Sequence, residues 1–263
     1  MNRALVVVGF IAFSTSLFMR AIDPVVPQIS GEFGIPPADV ALLATAFALP
    51  FAIVQPLLGP VGDFFGKTKL MLVAMVFLVA TTLAGAFAPN FTWLLISRVV
   101  AGIAAGGIFP AGLAFVSDSV GVERRQVTLG RYVAAALAGN LTGAWAGGIV
   151  GDFTNWRGVL FAAAACGATA FLLGLWGFRD VKHERGPRFD LAFAARSYRM
   201  IFSNPRAKFC YLGVFLEGFA IFGLFPFVAI LLHQSGEFRA SIAGFVIAGF
   251  AIGGAQLLFP KKA

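Results

Sequence analysis

The sequence predicts an all-α polytopic membrane protein, and three observations carry that prediction. Of the 263 residues, 59% are hydrophobic and only 12% are charged, against about 25% charged in soluble domains. Mean hydropathy is +0.87. The apolar residues also fall in runs of about 20, the length a helix needs to cross a hydrocarbon core about 30 Å thick.

Such runs lie at 4–22, 38–58, 70–88, 91–116, 129–151, 158–178, 209–232 and 240–259. Arg3 ahead of the first run resembles a secretory signal, but no small-x-small cleavage site follows, so the run is read as a first helix. Asp23, Pro24 and Pro27 close it. Pro36-Pro37 precede the second span, and the turn Gly59–Lys69 separates the second from the third. Pro89-Asn90 and Asn155-Trp156-Arg157 introduce the fourth and sixth. The segment 179–208 is rich in Arg and Lys; within it Phe189–Phe202 repeats apolar residues at helical spacing, as an amphipathic surface helix does. The expected organisation is a six-helix bundle over 1–178, a basic linker over 179–208 and two further helices over 209–263.

A net charge of +8 would point to nucleic acid in a soluble chain. Here the positive-inside rule accounts for it. With the N-terminus in the cytoplasm, 16 of the 20 Lys and Arg residues lie inside. Arg20, Arg157 and Arg239 lie outside, and Arg98 falls within a span. Both termini are then cytoplasmic, the bilayer is the partner in place of nucleic acid, and the location is the plasma membrane. Six helices, a long inner loop and further helices form the layout of a two-half transporter. Cys166 and Cys210 are too few for a disulfide framework, and His183 and His233 have no metal-ligand spacing around them. No G-x-x-x-x-G-K-S/T loop is present, which excludes ATP-driven transport of that type and leaves no expected cofactor.

Several positions carry candidate chemistry. In the turn, Gly59, Gly62 and Gly66 free the backbone, Asp63 can accept from N–H groups at a helix end, and Lys67 and Lys69 face the anionic leaflet. A solvated loop is the alternative. Arg98 inside a span either faces a polar cavity or snorkels to the nearer interface. Gly139, Gly143, Gly147 and Gly151 share a face of the fifth span and admit another backbone, with Ala240, Gly244 and Ala248, or Gly249 and Gly253, as a partner face. Asp23 is three residues from Arg20 and can pair with it, or is an ordinary interfacial acid. Glu217, about two turns into the seventh span, suits proton coupling or cation binding, or is a hydrogen-bonded packing residue.

The spacing of Gly59, Val61, Gly62, Asp63, Gly66 and Lys67 resembles the motif between helices two and three of the major facilitator superfamily, with Phe64 replacing its usual basic residue. Arg98 with Gly102 and Gly106 is similar to that family's helix-four motif. Gly139, Gly143, Gly147 and Gly148 are similar to its antiporter motif, with Ala144 where proline is usual. Asp23 with Pro27 resembles the end of its helix one. The resemblance is to the drug:proton antiporter branch and covers nearly the whole chain. It implies alternating access for a small solute, driven by a proton gradient, with Arg98, Glu217 and Asp23 as candidate coupling or substrate residues. It also implies a cytoplasmic latch of Asp63, Lys67 and Asp118. The family has twelve helices where this chain offers eight, so a C-terminally truncated fragment is the second expectation. A membrane sensor or scaffold acting through the basic linker is the third.

Overall fold

The computed structural model describes residues 3–181, 200 and 203–258. The amphipathic helix expected over Phe189–Phe202 falls almost wholly outside them. The described residues form helices α1 (Arg3–Arg20), α2 (Val26–Phe33), α3 (Pro37–Val40), α4 (Leu42–Phe65), α5 (Lys67–Ala86), α6 (Phe91–Gly106), α7 (Ile108–Ser119), α8 (Val122–Phe153) and α9 (Trp156–Gly177). After the linker come α10 (Pro205–Phe222), α11 (Phe225–Gln234) and α12 (Ala240–Leu258). Among the described residues, six helical segments are long and apolar enough to cross a membrane.

Prolines kink the first crossing where they were expected to end it, and break two others expected to be continuous. The first span does not close at residue 22: a single 3-10 turn at Asp23–Val25 joins α1 to α2, and the crossing runs on to Phe33. Pro24 and Pro27 each sit in the first turn of a helical segment, where the missing N–H has no partner to lose. The fourth span breaks at Gly107 into α6 and α7. Pro110 has no N–H to give the Gly106 carbonyl, so the ladder is interrupted there. The seventh expected span is likewise two helices, α10 and α11, with Pro226 in the first turn of the second. Asn90 and Asn155 do mark helix starts: their side chains accept from the Trp93 and Gly158 amides at 2.9 and 3.0 Å.

The turn expected over Gly59–Lys69 contracts to one residue. Helix α4 continues through Gly62 and Asp63 to Phe65, and α5 starts at Lys67. Gly66 alone leaves the helix, at φ +95°, a region a Cβ strongly disfavours. Gly66→Ala should therefore cost about 1–2 kcal/mol, read as a lower melting temperature in detergent. Gly121→Ala, at a negative φ in open space, should melt like the parent. Equal melting of the two variants would contradict the assignment.

Glycine sets the spacing between helices. On α8, Gly139 and Gly143 lie directly against the α1 backbone at Phe13 and Leu17, and Gly147 against Ala21 just past its end. On α6, Gly102 and Gly106 lie against Phe47 and Phe51 of α4. Apolar side chains have no water to escape in lipid, so close backbone packing takes over the task of holding helices together. Gly148, on another side of α8, abuts Ala240 of α12, and Gly244 of α12 abuts Ala144. The partner face expected at Ala240 and Gly244 is thus occupied by α8. The glycines of the fifth span serve two seams.

Candidate functional site

The bundle has one end carrying Arg3, Lys67, Asp118 and Arg131, called here the basic end, and an opposite end carrying Asp23, Glu32, Asp152 and Arg157. Each holds a charged cluster, built by different elements.

At the opposite end the kink in the first span turns Asp23 inward. Its carboxylate is wholly inaccessible and accepts from Arg20 Nη1 at 3.1 Å, an i,i+3 pair that the 3-10 turn brings together. The Arg20 guanidinium also lies over the ring of Phe225 at the start of α11, 4.8 Å from its centroid. Arg98 comes from α6 and does not snorkel. It is 2% exposed, donates from Nη2 to the Phe18 carbonyl at 3.2 Å and stacks over Phe47 at 4.4 Å. Its positive charge acts on Asp23. Among the described residues, Asp23 Oδ1 and Arg98 Nε have no hydrogen-bond partner. Burying three charges is expensive unless they compensate one another. Arg20, Asp23 and Arg98 are therefore an arrangement to be explained by use.

Beside this cluster a cavity of about 730 Å³ opens between Met19 and Arg20 of α1, Thr45 and Ala48 of α4, and Phe215 and Phe227 of α10 and α11. A second, of about 350 Å³, lies toward the basic end between α1, α7 and α8, lined by Phe10, Val116, Arg131 and Tyr132. The Tyr132 hydroxyl donates to the Phe109 carbonyl at 3.1 Å, tying α8 to α7.

At the basic end Lys67 joins two carboxylates. Its Nζ is paired with Asp118 at the end of α7 and lies 3.4 Å from Asp63 one turn back on α4. Gly62 packs its bare Cα toward Leu70 and Ala111, which lets α4, α5 and α7 meet here. Both carboxylates are more than half exposed, and exposed pairs are worth about 0–1 kcal/mol. Such a cluster positions helices more than it stabilises them. Phe64, where a base was expected, is 44% exposed and stacks edge-on against Phe65. Gly59 and Glu217 lie in α4 and α10, but their side chains are outside the described residues.

Two further clusters had no sequence signal. Glu32 at the end of α2 accepts from Trp156 Nε1 at 2.6 Å and pairs with Arg157, whose Nη2 donates to the Ala88 carbonyl at 3.2 Å. Asp152 accepts from the backbone amides of Ala240 and Ser241. Residues more than 80 apart meet in both, and no local spacing announces them.

Kinked apolar crossings, close-packed glycine seams and charges buried beside cavities define a polytopic helical membrane protein of the kind secondary transporters are. The sequence profile of the Major Facilitator Superfamily matches residues 8–263, and the chain belongs to that family. It is 28% identical over 247 residues to Multidrug resistance protein 1 of Bacillus subtilis, covering 94% of this chain and 62% of that protein. Quinolone resistance protein NorA of Staphylococcus aureus is 27% identical over 72% of this chain and 49% of its own length. Inner membrane transport protein YnfM of Escherichia coli is 25% identical over 81% of this chain and 50% of its own. The chain thus spans about half to three-fifths of these relatives. In fold it matches the crystal structure of a bacterial homologue of the human lysosomal transporter Spinster, inward-facing and unoccupied, with a TM-score of 0.73 at 21% identity, over 92% of this chain and 57% of the other.

Proposed function

We propose that this chain acts in proton-coupled efflux of a small drug-like solute by alternating access, across a bacterial plasma membrane with its basic end in the cytoplasm. The observation that carries the reading is the buried Arg20–Asp23–Arg98 cluster beside the 730 Å³ cavity. Here an acid that can bind a proton, two cations that respond to it and a space for solute adjoin one another. The names of the relatives supply the solute class. Asp23 and Arg98 couple the proton; Glu217, on α10, is the second candidate acid. Lys67 with Asp63 and Asp118 is the cytoplasmic latch, and the proton gradient stands in place of any cofactor.

Described contacts between α11 or α12 and the first six crossings include the opposite end, at Phe225, Ala240 and Gly244. That pattern supports a state closed outside, from which cytoplasmic opening loads solute.

The test is reconstitution of the chain in liposomes carrying an imposed pH gradient and an amphipathic fluorescent cation. Gradient-driven dye movement above protein-free vesicles is expected, falling about tenfold or more in Asp63→Asn, since the latch must close and reopen in each cycle. Movement at the protein-free level would overturn transport by this chain, and full activity of Asp63→Asn would overturn the latch.

A further inference from the structure

The start of α12 is capped from a distance. The first amides of any helix need acceptors, and the residue before α12, Arg239, has no acceptor in its side chain. Asp152, in the last turn of α8, supplies both oxygens instead: Oδ1 accepts from Ala240 N at 2.7 Å and Oδ2 from Ser241 N at 3.0 Å. A carboxylate is also favoured there by the positive end of the helix dipole.

The surroundings make this contact a seam between the first six crossings and the helices that follow. One turn inward, Gly148 abuts the Ala240 backbone, and Gly244 abuts Ala144. Flanking them, Trp145 and Phe245 meet edge-on with centroids 6.0 Å apart. On the near side, Gln28 of α2 donates to the Gly151 carbonyl at 2.9 Å, fixing the end of α8 to the first span. The carboxylate itself is exposed, so water can replace the amides when the helices part. A seam built mainly of close backbone contact, one edge-on ring pair and a water-facing clasp can reopen; a seam of deeply interlocked side chains would resist it.

We propose that Asp152 is a positioning residue of the transport cycle, a clasp on the first half that caps α12 of the second half and holds the molecule closed at the end opposite the basic one. The inference rests on the two-half reading proposed above. Asp152 touches neither the cavity nor the buried cluster, so it sets the balance between states and leaves solute binding alone.

The experiment uses the full chain in nanodiscs, with Cys166 and Cys210 replaced by serine and spin labels at Phe153→Cys and Phe238→Cys, both highly exposed positions flanking the seam. Asp152→Ala should raise the population of long label separations about fivefold, the scale of a lost pair of charge-assisted hydrogen bonds at a wet helix end. Asp152→Asn, which keeps one acceptor, should fall between. Ala240→Pro deletes one donor at a position where proline is tolerated; it should shift the distribution in the parent and add nothing beside Asp152→Ala.

Unchanged distances in Asp152→Asn and Ala240→Pro would overturn the clasp even if Asp152→Ala failed to fold. Additive shifts in the double variant would overturn it too, because the two residues would then act separately. Distances are read without solute. Widening without dye movement upholds the clasp and overturns transport by this chain; dye movement with unchanged distances does the reverse.

Discussion

Gly139→Leu is expected to yield no monodisperse protein in detergent, and Gly139→Ala to melt well below the parent. A Cβ at this position would stand 2.7 Å from the carbonyl carbon of Phe13 and 2.9 Å from its Cα. Those are backbone atoms of α1, so no rotamer change relieves the overlap. Overpacking a close-packed interior costs about 1–3 kcal/mol where side chains can shift, and more where backbones must. The seam also repeats: Cβ atoms at Gly143 and Gly147 would meet Leu17 and Ala21 at 3.0–3.1 Å from their Cα atoms. One leucine would therefore pry apart three turns of contact. It would also shift α1, whose Phe18 carbonyl holds Arg98. Gly130→Leu is the control, since nothing lies within 4 Å of a Cβ there; it should behave like the parent in size-exclusion and melting measurements. A Gly139→Leu protein that melts with the control would show that α1 and α8 do not pack this way.

Asp23→Leu is the second large effect. It removes the carboxylate that Arg20 pairs with and that Arg98 acts on, while both guanidiniums stay buried. Taking one partner from a buried pair costs about 3–5 kcal/mol, whereas replacing both with apolar groups of similar size is often neutral. Arg20→Met combined with Asp23→Leu should therefore recover part of the lost stability, Arg98 alone staying buried without its acid. The two readouts separate structure from use. If Asp23 carries the coupled proton, the double variant melts above Asp23→Leu and still fails to move dye in the pH gradient. Restored transport in the double variant would confine Asp23 to a structural role.

The crossings were legible because lipid imposes a length and an apolar composition that local sequence must satisfy on its own. The six membrane-length segments fall where the apolar runs do, and Asn90 and Asn155 start helices as their short polar side chains direct. The kinks were less legible. Pro24 and Pro27 read as stops, yet in first-turn positions they lack only an N–H that had no partner, and Pro226 fell inside an unbroken expected span. Gly59 and Gly62 read as turn residues, but only Gly66 takes a backbone angle that needs glycine, and α4 runs past the others.

The charged residues divide in the same way. Arg20 and Asp23 are three apart, so their pairing was visible in the sequence. Resemblance set Asp63, Lys67 and Asp118 side by side, and α4, α5 and α7 do bring them together, with Lys67 between the two carboxylates. No spacing linked Arg98 to Phe18 and Phe47, Glu32 to Trp156 and Arg157, or Asp152 to the first turn of α12.

By itself, then, the sequence determined that the chain is a multi-pass helical membrane protein of the Major Facilitator Superfamily, because span length, capping and motif spacing are properties of contiguous residues. Only the tertiary structure decided that Arg98 points inward, that the glycines of α8 serve both α1 and α12, and that Asp152 caps a helix 88 residues away. Those contacts depend on which helices become neighbours. In lipid that choice is made by shape, through small residues that let two backbones touch, and shape exists only once the helices are packed.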